Sequence, residues 1–267
     1  MYNAPTVSPL YEGTFSVGLD KKFHRIARDE DPAKGALKIS LNPFLLPHPD
    51  ENRILLFDTG IGGFGEGTST DIIKANLEKT GLTELDITDV FASHLHYDHI
   101  GGLAGRGEGY WQLTFPEARI WVSRRGWEKV MGLEEYYDPE KTEFVHFLDA
   151  KADLHFLETE EEPLPGVRAR HCGGHTEFSQ VLYFEPESGD QKYMMAGDVL
   201  ATRGAVNRKY AAKYDFDPDL SSTVRAELVR RAWEEEYIVM GYHDSFHPLF
   251  RLTDYDEQKG YTIEPLD

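Results

Sequence analysis

Apolar and polar residues alternate along Leu37-Lys38-Ile39-Ser40-Leu41, so one side of the extended segment is apolar, as in a half-buried strand. A continuous apolar run, Arg53-Ile54-Leu55-Leu56-Phe57, predicts a second strand, closed by Asp58-Thr59-Gly60 and a glycine-rich loop through Gly67. Residues 71–79 place Ile72, Ile73 and Leu77 on one helical face. Residues 89–93 then read as a strand that runs directly into a histidine-rich stretch. Ile120-Trp121-Val122 predicts another strand, with Ser123 placed to cap a short helix to about Val130. Further strands are expected at residues 153–158, 167–170, 180–185 and 192–196. A capping Asp217 followed by Pro218 starts a helix in which Val224, Leu228, Val229 and Ala232 recur at helical spacing. It leads into the strand Tyr237-Ile238-Val239-Met240-Gly241, whose end carries His243.

No repeat, low-complexity segment or long linker interrupts this pattern, so residues 1–267 are expected to form a single domain. Strand-rich halves that each close with a helix predict an α+β fold of two packed sheets with helices outside. Composition narrows the class of partner. A net charge of −19, from 28 basic and 47 acidic side chains, repels a polyphosphate backbone, so no nucleic acid partner is expected. Arg203, Arg208, Lys209 and Lys213 are the one basic cluster, and they read as a solvated loop. The lone Cys172 excludes an internal disulfide and fits a reducing compartment. With no signal-like start and no long apolar run, the expectation is a cytoplasmic protein with no membrane contact.

Six of the 11 histidines fall at the ends of predicted strands. Alternation sends His94 and His96 to the same side of an extended chain, where both imidazoles converge on one ion. Asp98 and His99 lie past the strand end, where a turn aims them at a second ion. His175 follows Gly173-Gly174, Asp198 follows Met194-Met195-Ala196-Gly197, and His243 ends the last strand. Each sits in the same setting of apolar strand, glycine and ligand type. Imidazole and carboxylate together suit zinc, and also iron, manganese or cobalt. His247 lies four residues after His243 and competes with it as a ligand, although Pro248 marks that stretch as a loop. His171, Cys172 and His247 itself read as packing or support beside the site or its substrate pocket, and His24, His48, His146 and His155 as ordinary surface or core positions. The loop from Gly60 to Gly65 lacks the glycine spacing and the context of a dinucleotide site. Phe64 within it lines a substrate pocket or anchors the loop in the core.

His94, His96, Asp98 and His99, followed by Ile100-Gly101-Gly102, reproduce the metal-binding motif of the metallo-β-lactamase superfamily, which the sequence resembles over most of its length. Gly174-His175-Thr176, Gly197-Asp198, Gly241-Tyr242-His243-Asp244 and the upstream Phe57-Asp58-Thr59-Gly60 match its other motifs in order. The resemblance implies an αββα four-layer sandwich of two mixed β-sheets flanked by helices. It also implies a site for two divalent metal ions, zinc first. By position, His94, His96 and His175 would hold one ion and Asp98, His99 and His243 the other, with Asp198 bridging. Asp98 and Asp198 are then the candidate catalytic residues, serving a hydroxide shared by the ions, and Asp58 a partner for a ligating histidine.

Within the superfamily the sequence is most similar to the lactonase and methyl-parathion-hydrolase-like groups. This similarity implies a hydrolase of lactone or ester bonds, acyl homoserine lactones among them. Phosphotriesters and glyoxalase II-like thioesters are the alternatives, and a non-catalytic metal-binding protein is the rival of another class. Antibiotic cleavage is disfavoured because class B β-lactamases generally carry cysteine or serine at the position of Asp198. The flavodiiron pattern, with glutamate at His96, is absent. One departure matters: Ala201 stands where lactonases often have a tyrosine, leaving Tyr210 or Tyr214 as substitutes. Trp111, Tyr136 and Tyr137 are candidates for a pocket lid or a homodimer interface.

Overall fold

The computed structural model describes residues 7–132, 138–189, 191–208, 212 and 214–266. Tyr136, Tyr137, Lys209, Tyr210 and Lys213 lie outside the described residues. Two mixed sheets face each other. The first runs in the order Ser8–Pro9, Phe44–His48, Arg53–Phe57, Asp89–Phe91, Arg119–Ser123 and Asp153–Leu157, its last four strands parallel. The second runs Glu160–Leu164, Val167–His171, Gln180–Phe184, Lys192–Met195, Tyr237–Met240, Leu249–Asp256 and Gly260–Leu266. Its one parallel pairing, Lys192–Met195 with Tyr237–Met240, is spanned by the helix Pro218–Glu234.

Strand alternation produces the layers. Leu55 and Phe57 point into a central core shared with Leu182, Phe184, Met195 and Met240 of the facing sheet. Leu56, Val90 and Val122 point the other way, onto helices Asp71–Glu78, Arg124–Met131 and Pro139–Lys151 through Leu77, Trp127, Phe144 and Leu148. Behind the second sheet, Val181, Met194 and Val239 pack on Val224, Leu228 and Val229 of the long helix. Helix, sheet, sheet and helix form the expected four layers. Ser123 and Asp217 cap their helices by accepting from Gly126 N and Leu220 N. Among the described residues no helix is long and apolar enough to cross a membrane.

Several elements differ from the sequence reading. Leu37–Leu41 is a strand, but it joins Gly13–Val17 and Phe23–Ile26 in a separate three-stranded sheet. The helix Pro139–Lys151 escapes a periodicity reading because its buried positions, Phe144, Val145 and Leu148, span little more than one turn. The terminal hairpin Leu249–Asp256 and Gly260–Leu266 is not among the expected strands, although Tyr261-Thr262-Ile263-Glu264 alternates and Phe250, Leu252 and Ile263 pack behind the second sheet. Trp111 is not an exposed interface residue: it packs on Phe64, Phe144 and Phe147.

Candidate metal centre

The candidate ligands gather where strands of both sheets end. The segment after Asp89–Phe91 carries His94 and His96 and then turns into the short helix Tyr97–Ile100, which holds Asp98 and His99. His175, Asp198 and His243 follow the strands Val167–His171, Lys192–Met195 and Tyr237–Met240. Two glycines are required for this convergence. A Cβ on Gly197 (φ +48°) would lie 2.7 Å from Ser93 Oγ and 3.3 Å from His94 Nδ1. A Cβ on Gly174 (φ +91°) would lie 2.7 Å from Ser221 Cα.

Two nests of ligand atoms result, one from His94, His96, His175 and Asp198 and the other from Asp98, His99 and His243. In the first, His96 Nδ1 lies 3.0 Å from His94 Nε2 and 3.1 Å from His175 Nε2. In the second, Asp98 Oδ2 lies 3.6 Å from both His99 Nε2 and His243 Nε2. Asp198 faces both nests. Its Oδ1 is 2.8 Å from His243 Nε2 and 3.2 Å from His99 Nε2, and its Oδ2 is 3.2 Å from His175 Nε2.

The opposite ring nitrogens are held from behind. His99 Nδ1 meets Asp58 Oδ2 at 2.6 Å, and the same carboxylate accepts from Ser93 N and Ser93 Oγ, each at 2.7 Å. Asp58 takes a left-handed φ of +57° to do so, which is uncommon outside glycine. His175 Nδ1 pairs with Asp215 Oδ1 at 2.9 Å, His243 Nδ1 donates to Ser40 O at 2.9 Å, and His94 Nδ1 lies 3.1 Å from Ser93 Oγ. Such partners fix the ring orientation and leave Nε2 turned inward. His96 is the exception, presenting Nδ1 to the nest at the solvent-exposed edge.

Electrostatics follow from this crowding. Burial, then the charges of His99 and His96, hold His94 well below the ordinary histidine range. Although His96 reaches solvent, desolvation by the groups crowded around it, then neighbouring His175, draws its pKa down to about 4. Burial opposes protonation of His99, but Asp98, Asp58 and Asp198 outweigh it and raise its pKa well above normal. Burial likewise disfavours charge on Asp198, yet His243, His175 and His99 hold the carboxyl well below its usual range. The donor set fits cations. His99 Nε2, His243 Nε2 and Asp198 Oδ1 are buried, and the oxygen crowds the two nitrogens at 2.8–3.2 Å without hydrogen-bond alignment, an arrangement that is costly unless an ion fills it.

Residues that the sequence reading did not single out complete the frame. Glu12, almost fully buried, accepts from Ile61 N at 2.8 Å and Gly62 N at 3.2 Å, holding the loop that follows Asp58. Burial raises its carboxyl to about 8. Tyr242 stacks on His99 and donates to Asp98 O at 2.6 Å. Asp215, Ser40 and Glu12 come from distant segments, and no local pattern marks them.

Other candidates are placed as follows. Phe64 packs against Tyr97, Trp111 and Phe144 and does not line the cleft beside the centre. His247 stays outside both nests, its N–H donating to Asp244 Oδ1 at 3.1 Å. Ala201 lends its carbonyl to His243 N at 2.9 Å. Tyr214 borders the cleft, its ring 6.2 Å from that of His175. Burial pushes the Cys172 thiol up to about 12, as befits a packing residue rather than a nucleophile. The cleft, of about 260 Å³, opens on His96 and His175 and has walls that include Leu95, Val130, Phe178 and Phe216.

The chain is similar to known proteins over most of its length. The chain is 28% identical over 210 residues to the N-acyl homoserine lactonase AiiA of Bacillus thuringiensis subsp. kurstaki, covering 74% of each. A probable metal-dependent hydrolase from Staphylococcus aureus superposes with a TM-score of 0.77 at 20% identity, covering 98% of this chain and 97% of that one. AidC, a dizinc quorum-quenching lactonase, superposes with a TM-score of 0.73 at 20% identity, covering 96% and 92%. The family model for the metallo-β-lactamase superfamily matches residues 43–243, and the chain belongs to that superfamily.

Proposed function

We propose that this hydrolase opens lactone or ester bonds with two divalent ions, zinc first, held in one domain spanning residues 1–267. His94, His96 and His175 would hold one ion and Asp98, His99 and His243 the other. The observation that carries this reading is Asp198, whose two oxygens each face a different nest. When bound, such ions polarise a carbonyl and make water acidic enough to supply hydroxide near neutral pH. The chain's own residues do the rest. Asp58, Asp215 and Ser40 aim three imidazoles inward. Asp98, with Oδ2 toward the centre and its backbone pinned by Tyr242, would accept and orient a proton on the attacking water. Apolar walls beside His96 and His175 exclude water from the substrate.

Lactones and esters are favoured because the N-acyl homoserine lactonase match spans most of the chain. A thioesterase reading draws on a shorter match, 27% identity over 121 residues, to hydroxyacylglutathione hydrolase of Haemophilus ducreyi, covering 45% of this chain and 39% of that one. A cytoplasmic setting is proposed from composition, since a single cysteine, Cys172, leaves no internal disulfide to form. Metal analysis with an assay panel of acyl homoserine lactones, simple lactones, esters, phosphotriesters and thioesters tests the reading. Two bound ions with turnover strongest on lactones or esters are expected. Protein that holds less than one ion and stays inactive after metal loading would contradict it.

A further inference from the structure

Beside the metal centre, the helix Arg124–Met131 forms one side of the cleft that opens on His96 and His175. This helix contains Gly126, a poor helix former, at a position whose backbone is not left-handed. A Cβ there would meet Ser123 Cβ at 3.3 Å, Phe178 Cβ at 3.4 Å and Leu95 Cδ1 at 3.5 Å, so the bare glycine lets the helix lie close against two residues that line the apolar channel beside the candidate ligands.

The rim of that channel is charged. Lys129, which lines the cleft, sits 4.8 Å from the ring centre of Phe216 and 5.9 Å from that of Phe178. Arg125, one helical turn earlier, does not itself line the cleft but reaches its edge through Phe178, whose ring centre lies 4.8 Å away. Rings under both cations hold them in place while leaving their outer N–H groups exposed. Lys129 pairs with Glu177 at 2.6 Å, and both side chains remain substantially exposed. Arg125 has no carboxylate partner among the described residues. Two cations and one acid leave the rim net positive on a chain whose formal charge is −19. Against that background a cationic rim attracts an anion locally. Glu177 limits the attraction to a single negative charge, because a dianion would meet its carboxylate.

We propose that this cleft selects ester or lactone substrates whose apolar chain lies along Leu95, Val130 and Phe178 and ends in a carboxylate held by Arg125 and Lys129. The assignment rests on the hydrolase reading above and adds the substrate class. Arg125 supplies a planar fork for the carboxylate, and Lys129 a point charge released from Glu177. Both act on selectivity, away from the reacting atoms.

The test compares two aryl esters of equal chain length, p-nitrophenyl hexanoate and mono-p-nitrophenyl adipate, on metal-loaded protein. The variant is Arg125→Ala with Lys129→Ala, both at exposed helix positions. The wild type should prefer the carboxylate ester in kcat/KM by about tenfold or more, and high salt should narrow that preference. The double variant should lose the preference while the neutral ester changes by less than about twofold. Equal rates on both esters, or equal loss on both in the variant, would overturn the assignment. Calorimetric binding of adipamic acid and hexanamide to the same loaded proteins separates the two levels of the account. If neither ester is hydrolysed and the wider panel is also inert, the hydrolase reading fails, and the binding pair still decides the anion site. Tighter adipamic acid binding that disappears in the double variant upholds it, and equal binding of the two amides refutes it.

Discussion

Asp215 Oδ1 lies 2.9 Å from His175 Nδ1, although forty residues separate them. The contact is built by Phe216 N and Asp217 N, which donate to His175 O and Gly174 O at 2.9 Å each and lay the two segments side by side. With Nδ1 engaged, His175 Nε2 faces His96 and Asp198. Asp215→Ala should weaken binding of one metal ion by roughly 10- to 100-fold while the fold persists. Competition with a chromophoric chelator measures this, and unchanged affinity would show that Asp215 does not position the ring.

Asp58 serves three donors at once, Ser93 N, Ser93 Oγ and His99 Nδ1, and all of these atoms are buried. Asp58→Ala leaves these polar groups unpaired, so a loss of about 2–4 kcal/mol in stability is expected. Thermal unfolding of metal-free protein reads that loss. In metal-loaded protein the variant should also lose the ion facing His99 before the one facing His94.

These contacts show where sequence reading stops. Most strands from Arg53 to Met240 and the two helix caps were legible because apolar period and capping chemistry are local properties, whereas the short strands Ala104–Gly107, Tyr110–Leu113 and Glu160–Leu164, rich in glycine or charge, were not. His94, His96, Asp98, His99, His175, Asp198 and His243 were legible for a related reason: each stands just past an apolar strand, several beside a glycine. Asp215, Ser40 and Glu12 were not. Their function depends on chain segments that meet only after folding, and an aspartate, a backbone carbonyl and a glutamate carry no local mark. Phe64 shows the converse, since a glycine-rich setting drew attention to a residue that packs in an aromatic cluster.

Glu12 gives a distinctive pH dependence. Burial raises its folded pKa from 4.5 to about 8, so the folded state binds its proton more tightly than the unfolded chain. The associated stability is fully present below about pH 4.5 and is lost as pH rises through about 8. The slope is at most about 1.4 kcal/mol per pH unit. Glu12→Gln should flatten that part of the stability curve in metal-free protein, measured by urea unfolding from acid to mildly alkaline pH. Parallel curves for the two proteins would contradict the assignment.

Cys172 should behave as an inert thiol. With its pKa pushed to about 12 by burial, thiolate is scarce at neutral pH, and alkylation of the folded protein should be far slower than of the denatured chain. Metal content and hydrolysis should survive Cys172→Ser. Loss of hydrolysis with metal content unchanged would assign the thiol a role in the reaction.

The central claim is that one carboxylate joins two ligand nests, and Asp198→Ala tests it most directly. The measurement is metal stoichiometry by mass spectrometry after equilibration with zinc, with lactone and ester hydrolysis followed on the same samples. The account predicts a drop from two bound ions to one or fewer, and a fall in turnover on the order of a hundredfold or more. Two ions retained at wild-type affinity with turnover unchanged would contradict it.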